Sequence, residues 1–326
     1  MASLILAVLA VSFDRPVNRT PPPQILLADF ADRLTDSAQL EMTFGRGISG
    51  TQTIKVMQKN GQWVLPQRND YPANQELVTE TLLALADVKA LEARTAKPDW
   101  HRALGLVVPE DLGNAVRFTV RDGQDNVLAE LLLGREQQSE AEAKQQVTNV
   151  GPQLRQFYAR RGDSNQSWLA RGRLPRNANL AAWLDPDLPK GDLSQLSKIR
   201  FDGAGAPFSL LQVTPGTWSM AGGAAWVADF AALRPDDVTG RDAIDFATAK
   251  RMQLSYADGL RITYDNVGAA TLIWVGISAD VAAGASDAAK AEAARINARF
   301  GDWALRFDAA RAPVLLPSIA SLSGQN

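Results

Sequence analysis

The chain has 326 residues, of which 46% are hydrophobic and 21% charged, a composition typical of a globular protein of about two domains. Its 34 Lys and Arg nearly balance its 36 Asp and Glu, so the charge gives no reason to expect nucleic acid as a partner. The sequence has no Cys, which excludes disulfides, thiolate metal sites and thiol catalysis.

The N-terminal residues give the clearest indication of where in the cell the protein is located. Residues 1–13 are uncharged and dense in Leu, Val and Ile. A bilayer-spanning helix needs about 20 apolar residues, so this short run fits an anchor, a cleaved signal or a truncated start, and a buried first element is the alternative. Residues 15–24 contain four prolines and predict a stiff, extended spacer. We expect residues 1–24 to target or tether the chain to a membrane.

The next segment predicts a hairpin followed by a helix. Residues 53–58 alternate in polarity as a half-buried strand does, and Asn60 and Gly61 predict a tight turn because both tolerate positive φ. The returning strand carries Trp63. Residues 74–91 then predict an amphipathic helix that Asn74 caps.

The remaining elements are mostly strands. Two strand pairs are predicted first, at residues 116–121 with 127–134 and at residues 156–159 with 167–170. Further strands follow at residues 199–201, 208–213, 251–256, 260–264, 271–277 and 303–307. Two further helices are expected, a short one at residues 226–233 and an Ala-rich one at residues 287–300.

Two parts of the chain also repeat the same short motifs. A turn at Gly precedes a Trp in a strand-like run both at Trp63 and at Trp218, and Arg-Arg-Gly-Asp at residues 160–163 matches Arg-Phe-Gly-Asp at residues 299–302. This repetition predicts an α+β fold of two related modules, each with mainly antiparallel strands and one or two helices. The expected modules are residues 25–190 and residues 191–326.

No residue pattern indicates catalysis, a cofactor or a metal. His101 is the sole histidine and lacks the flanking pattern of a nucleophilic serine site, so a surface or capping role is expected. The pair Asp236 and Asp237 follows a proline and is interpreted as a helix cap or a solvated turn. We therefore predict no catalytic, cofactor-binding or metal-binding residues.

The aromatic and arginine residues suggest a possible protein interface. The five tryptophans in strand-like runs (Trp63, Trp168, Trp218, Trp274 and Trp303) are expected to pack in the core, whereas Trp100, Trp183 and Trp226 are expected to be partly exposed. Arg160 and Arg161 project to opposite faces of a strand, where each can pair with a carboxylate. An Arg beside an aromatic ring is typical of interfaces, so we predict a partner surface that includes Arg160, Arg161, Trp168 and Trp226.

The order of short motifs resembles DUF 4340, a bacterial family of proteins of unknown function with an N-terminal membrane segment. The matching segments are GQWVL (61–65), YPA (71–73), LGL (104–106), LLG (132–134), YARR (158–161), QSWL (166–169), WLD (183–185) and INARFGDW (296–303). The resemblance implies an accessory role beside the ATPase and permease of a gliding-type ABC export system, and it brings no catalytic residues. The long membrane helix usual in the family is reduced here to residues 1–13.

Three function classes are open. The first is a non-catalytic extracytoplasmic accessory or scaffold module, tethered at the periplasmic face of the bacterial inner membrane and assisting an ABC-type transport or cell-envelope system through protein partners. The second is a hydrolase or carbohydrate-active enzyme that uses two carboxyl groups, at least one with a raised pKa. The third is a structural subunit of an envelope assembly that self-associates through an exposed apolar patch.

Overall fold

A computed structural model describes residues 23–137, 154–176, 178–203, 206–269 and 272–323. In these stretches the chain forms two antiparallel β-sheets, one of ten strands and one of eight, together with several short helices. The α+β class with mainly antiparallel strands is therefore confirmed. The predicted apolar segment at residues 1–13 lies outside the described residues.

The first sheet has the order β1-β6-β10-β9-β8-β7-β2-β3-β4-β5. Its strands are β1 (Gln24–Ile25), β2 (Gln39–Gly45), β3 (Thr51–Lys59), β4 (Gln62–Leu65), β5 (Tyr71–Pro72), β6 (Lys89–Ala93), β7 (Val116–Arg121), β8 (Val127–Gln137), β9 (Arg155–Arg161) and β10 (Ser167–Gly172).

The second sheet has the order β13-β12-β11-β15-β16-β17-β18-β14. Its strands are β11 (Leu196–Asp202), β12 (Phe208–Thr214), β13 (Thr217–Trp218), β14 (Asp237–Gly240), β15 (Lys250–Tyr256), β16 (Leu260–Ala269), β17 (Leu272–Val281) and β18 (Trp303–Asp308).

Helices connect the strands or close the chain. They are α1 (Ala28–Ala31), α2 (Gln75–Ala86), α3 (His101–Leu104), α4 (Leu180–Trp183), α5 (Gly223–Ala231), α6 (Asp287–Phe300), α7 (Ala312–Leu315) and α8 (Ile319–Ser323). Within the described ranges, no helix combines the length and the apolar composition that crossing a bilayer requires.

The two sheets arrange their strands in the same order. Eight adjacent strands of the first sheet lie in the order β6, β10, β9, β8, β7, β2, β3, β4. The strands of the second sheet, starting from β14 at its edge, lie in the corresponding order β14, β18, β17, β16, β15, β11, β12, β13. Helix α2 follows β4 and its neighbour β5, as α5 follows β13. The sheets differ before their last strand, because α6 separates β17 from β18 whereas a tight turn joins β9 to β10.

Local sequence signals produce the predicted hairpin and helix start. Asn60 and Gly61 have φ of 51° and 78°, so they form the turn between β3 and β4. The Asn74 side chain accepts a hydrogen bond of 3.1 Å from the backbone of Leu77 and caps α2. The helix ends at Ala86 rather than at residue 91, since β6 follows and pairs with both β1 and β10.

One continuous hydrophobic core joins the two sheets. It contains buried side chains of the first sheet, such as Phe118 and Leu131, and of the second, such as Ile262 and Val275. A small separate cluster of Leu106, Ala115 and Leu132 lies beside β7 and β8. Because this core is continuous, the two sheets pack directly against each other in the described residues and are not held apart by a flexible linker.

Candidate functional site

Three segments that carry the family resemblance meet between the two sheets, in a contact region that we call the junction. Its central residues are Tyr71 at the edge of the first sheet, Asp185 in the segment that connects the sheets, Arg299 in α6 and Trp303 at the start of β18. The Tyr71 and Trp303 rings pack edge to face with centroids 5.3 Å apart. Arg299 forms an ion pair with Asp185, whose backbone nitrogen donates a 3.0 Å hydrogen bond to the Pro72 carbonyl.

Because the junction is buried, a charged side chain there is unfavourable unless an oppositely charged side chain pairs with it. Burial is the main cause of a raised pKa for the Tyr71 phenol, and the nearby Asp185 carboxylate raises it further. The same Asp185 is neutralised by Arg299. The junction is therefore a packed, charge-paired contact around a neutral tyrosine.

A second ion pair crosses the junction. The Arg68 guanidinium donates hydrogen bonds of 2.6 Å and 3.2 Å to the two carboxylate oxygens of Asp237, and Arg306 lies 3.6 Å from the same group. Burial raises the pKa of Asp237, but the hydrogen bonds from Arg68 and from the Val238 backbone outweigh it, so the net pKa is lowered. The interpretation of Asp236 and Asp237 as a helix cap or solvated turn is thus wrong for Asp237, which begins β14 and binds across the junction.

The segment that connects the two sheets is fixed to the second sheet. The Tyr264 hydroxyl donates a 2.7 Å hydrogen bond to the Pro189 carbonyl, and the Tyr256 hydroxyl donates to the Lys190 carbonyl. The Lys190 ammonium donates to the carbonyl of Ala231 at the end of α5, and burial lowers its pKa. These contacts leave the connecting segment little freedom to act as a hinge.

The predicted partner residues fall into two separate places. Arg160, Arg161 and Trp168 share the hairpin of β9 and β10, where Trp168 is half-buried against the core. Trp226 lies in α5 with only 4% of its surface exposed. It stacks on Phe230 and its indole nitrogen donates a 2.9 Å hydrogen bond to the Val314 carbonyl. Its expected partial exposure is wrong, because the chain's C-terminal segment and α5 enclose the ring.

The two arginines of this hairpin have different surroundings. Arg161 pairs with Asp163 at 2.9 Å and with Asp29 at 3.6 Å, and the hydrogen bond from Arg161 lowers the pKa of Asp163. Arg160 donates a 3.0 Å hydrogen bond to the Ser164 carbonyl, and burial lowers its pKa. Arg161 therefore pairs with carboxylates as expected, whereas Arg160 supports the turn backbone. Arg161 also lines an open cavity of about 480 Å³ beside α1.

Burial of the other tryptophans also departs from the pattern-based expectation. Trp183 is 1% exposed, so its expected exposure is wrong, whereas Trp100 is exposed as expected. Of the five strand tryptophans, Trp63 is fully buried and the other four are half-buried. Trp183 is enclosed because the residues around it pair with the segment after β5, through the bridge between Ala73 and Leu184.

The candidate acid–base groups have structural partners. The His101 ring is buried, and its Nε2 lies 2.9 Å from the Asn165 carbonyl oxygen, which ties α3 to the turn before β10. Across the described ranges, no set of three or more His, Asp or Glu side chains is placed to hold a metal ion. Each described carboxyl group whose pKa is clearly shifted has a lowered pKa: Asp122, Asp163, Asp192, Asp237 and Glu292.

The structure also brings together residues that the sequence analysis did not single out. Arg102, Arg135 and Arg176 line a cavity of about 450 Å³ between the loop after α3 and the end of β8, and we call it the arginine cavity. Its walls include Gly105 and Gly134, the glycines of the LGL and LLG segments. In the sequence, these two motifs could have indicated the cavity, because each places a glycine where two stretches of backbone touch.

The matched family stretch runs from β4 of the first sheet into β15 of the second. Residues 63–253 match the family model described as a domain of unknown function (DUF4340). No curated protein and no solved structure matches the chain. The match covers more than half of the chain and includes Tyr71 and Asp185 of the junction together with all three arginines of the arginine cavity. The chain therefore belongs to the DUF4340 family.

Proposed function

We propose that this protein is a non-catalytic extracytoplasmic scaffold module that assists an ABC-type transport or cell-envelope system. In this proposal its N-terminal segment tethers it to the periplasmic face of the bacterial inner membrane, and its partners are a permease or envelope proteins. The observation that carries the proposal is the junction. The YPA and WLD segments, which help to identify the family, fix the two sheets against each other instead of forming a reactive cluster.

We also infer that residues 25–190 and residues 191–326 are two related modules. The shared order of eight strands supports this, as do the Gly-Trp turns before β4 and β13 and the Gly-Asp pairs that precede β10 and β18. Related sheets fixed by a packed junction keep a constant separation between the N-terminal tether and the far end of the second module. A constant separation is what a scaffold between a membrane and a partner needs.

The two alternative classes have unequal support. A carboxylate-based hydrolase needs a general acid with a raised pKa, and the clearly shifted carboxyl groups in the described residues have lowered ones. A self-associating structural subunit has one observation in its favour. Strand β12, next to the two-residue edge strand β13, exposes the large apolar side chains of Leu211 and Val213.

Membrane co-purification tests the leading proposal. The full chain is expressed with a C-terminal tag in a bacterium that encodes it, and membranes are solubilised in mild detergent. The matched control replaces residues 1–13 with a cleavable export signal, so the same folded module reaches the same compartment without a tether. We expect the full chain in the membrane fraction, enriched for an ABC permease and its ATPase relative to the control. Recovery of the full chain alone in the soluble fraction would contradict the proposal.

Sedimentation of the purified, untethered module separates the scaffold from the structural subunit. A scaffold is expected to sediment at the same rate over a wide range of concentration. A self-associating subunit would sediment faster as concentration rises, and Leu211→Lys with Val213→Lys would abolish that change. Concentration-dependent association that these substitutions remove would favour the structural-subunit alternative.

A further inference from the structure

We propose that the arginine cavity binds a phosphate group. The cavity lies in the first module, away from the junction, and its volume of about 450 Å³ is in the range of small-molecule sites. The proposal does not depend on the scaffold function, since it concerns only the chemistry of this cavity. Its basis is the combination of glycine-shaped walls with three guanidinium groups.

Glycines allow the cavity walls to form. A Cβ on Gly134 would lie 2.3 Å from the Leu104 carbonyl oxygen, and one on Gly113 would lie 2.0 Å from that of Val107. Gly105 has φ of 71° and a Cβ there would meet the Arg135 side chain at 2.8 Å. A side chain at Gly105 or Gly134 would push the loop after α3 away from β8, and one at Gly113 would push apart two stretches of the loop between α3 and β7. The walls are therefore made of closely packed backbone. The cavity is therefore a built feature with a defined shape.

Three arginines give the cavity a positive charge. Among the described residues, the lining includes no carboxylate and neither Arg102 nor Arg135 forms an ion pair. Arg176 pairs through Nε with Glu136 at 3.1 Å and donates from Nη2 to the Gly134 carbonyl. Glu136 is shared with another arginine, so it neutralises only part of this charge. The described lining therefore carries more positive than negative charge, which a bound anion would balance.

Arg176 has unused hydrogen-bonding capacity. Its Nη1 is buried and has no hydrogen-bond partner among the described residues, and burial lowers the pKa of the guanidinium. A buried donor without an acceptor is unfavourable, and an oxygen atom of a bound anion would satisfy it. The lining also includes Asn114, whose side-chain amide can donate a further hydrogen bond.

Phosphate fits this set of groups better than a single carboxylate does. A guanidinium group presents a planar fork of N–H donors that matches two oxygen atoms of a phosphate. Three such groups balance a dianion with several oxygen acceptors, whereas a monocarboxylate would leave much of the positive charge unpaired. The phosphate can belong to a small soluble ester or to a lipid headgroup, and the experiment distinguishes these sources.

The test measures binding of two probes to the purified chain. Glycerol phosphate is titrated by calorimetry at constant ionic strength, with chloride and sulfate as competing anions. Flotation with vesicles of phosphatidylcholine, with and without phosphatidic acid, tests the lipid source. Binding of glycerol phosphate identifies a soluble ester as a sufficient ligand. Binding only to vesicles with phosphatidic acid identifies a lipid phosphate, and either result supports the proposal.

Matched variants locate the binding. Arg102→Gln and Arg135→Gln each remove one exposed guanidinium of the cavity, and each is expected to weaken binding about tenfold. Arg311→Gln makes the same charge change on an exposed arginine of the second module and should leave binding unchanged. Thermal unfolding of each variant checks that the fold is intact. Absence of binding to both probes, or an equal loss in Arg311→Gln, would overturn the proposal.

Discussion

The Arg68–Asp237 ion pair joins the two sheets, so breaking it should lower the free energy of unfolding of the whole chain. The pair has two hydrogen bonds, and the exposed fractions of the two side chains are 30% and 16%. Removing one partner of a buried pair costs about 3–5 kcal/mol, whereas an exposed pair contributes about 0–1 kcal/mol. The partial burial lies between these limits, and we expect Asp237→Ala to cost about 2 kcal/mol.

A double-mutant cycle isolates the contribution of the pair itself. Arg68→Ala, Asp237→Ala and the double variant are compared with the unchanged chain by urea unfolding, and we expect a coupling free energy of about 1–1.5 kcal/mol. The control is the same cycle on Arg33 and Asp36, whose side chains are 52% and 50% exposed. That exposed pair is expected to give about 0.5 kcal/mol or less.

The coupling should also depend on pH in a defined direction. The folded pKa of Asp237 lies below its usual value of 3.8, so the pair stabilises the fold above that pH. The stabilisation is lost as the pH falls through the folded pKa and the carboxylate is protonated. The coupling should therefore be complete at neutral pH and disappear in strong acid. A coupling equal to that of the exposed pair, or one unchanged in acid, would refute the reasoning.

Substitutions at three further positions, with Gly123→Ala as a control, test the core and the cavity walls by urea unfolding. Trp226→Ala should cost about 3–5 kcal/mol and Trp226→Phe about 2 kcal/mol, since Phe keeps one packed ring but loses the hydrogen bond and part of the indole volume; equal costs would contradict this. Gly134→Ala should cost about 1–3 kcal/mol because its Cβ meets a carbonyl, whereas Gly123→Ala, in open space, should change stability by less than about 0.5 kcal/mol. Burial raises the pKa of Tyr264 above its usual 10.0, so stability should fall as the pH rises past about 10, and Tyr264→Phe should reduce that fall.

Local signals predicted the elements whose causes are local. The turn at Asn60 and Gly61 follows from backbone freedom at those two residues, and the structure has it there. The Ala-rich helix, expected at residues 287–300, has those bounds, with Ser286 capping its start. Neither feature depends on a distant segment, so a reading of the sequence was sufficient.

Features that depend on distant segments were missed. The predicted helix at residues 74–91 continues too far, because pairing of β6 with β10 decides the structure after Ala86. Trp226 is buried because α7, far along the chain, supplies the carbonyl that binds its indole. Burial of a tryptophan near a helix start is set by what packs over it, and the sequence does not contain that information.

The arginine cavity was missed for the same reason. Arg102, Arg135 and Arg176 are far apart in the chain and follow no spacing that indicates a ligand. The LGL and LLG motifs were recognised as marks of the family, but the contact between their glycines and the facing backbone exists only in the folded chain. Close approach of two backbones is a property of the fold, and a single sequence shows only that glycine is present.

The shared strand order has a consequence for how the chain folds. In each sheet a hairpin that forms early in the chain lies beside a strand that follows it after a helix: Leu40 pairs with Val120, and Ile199 with Leu254. Hairpins form quickly, but joining them requires closing a long loop that contains a helix, which slows folding. We expect each sheet to assemble in this pairing step. The first sheet can complete it during synthesis, before the last strands of the second leave the ribosome.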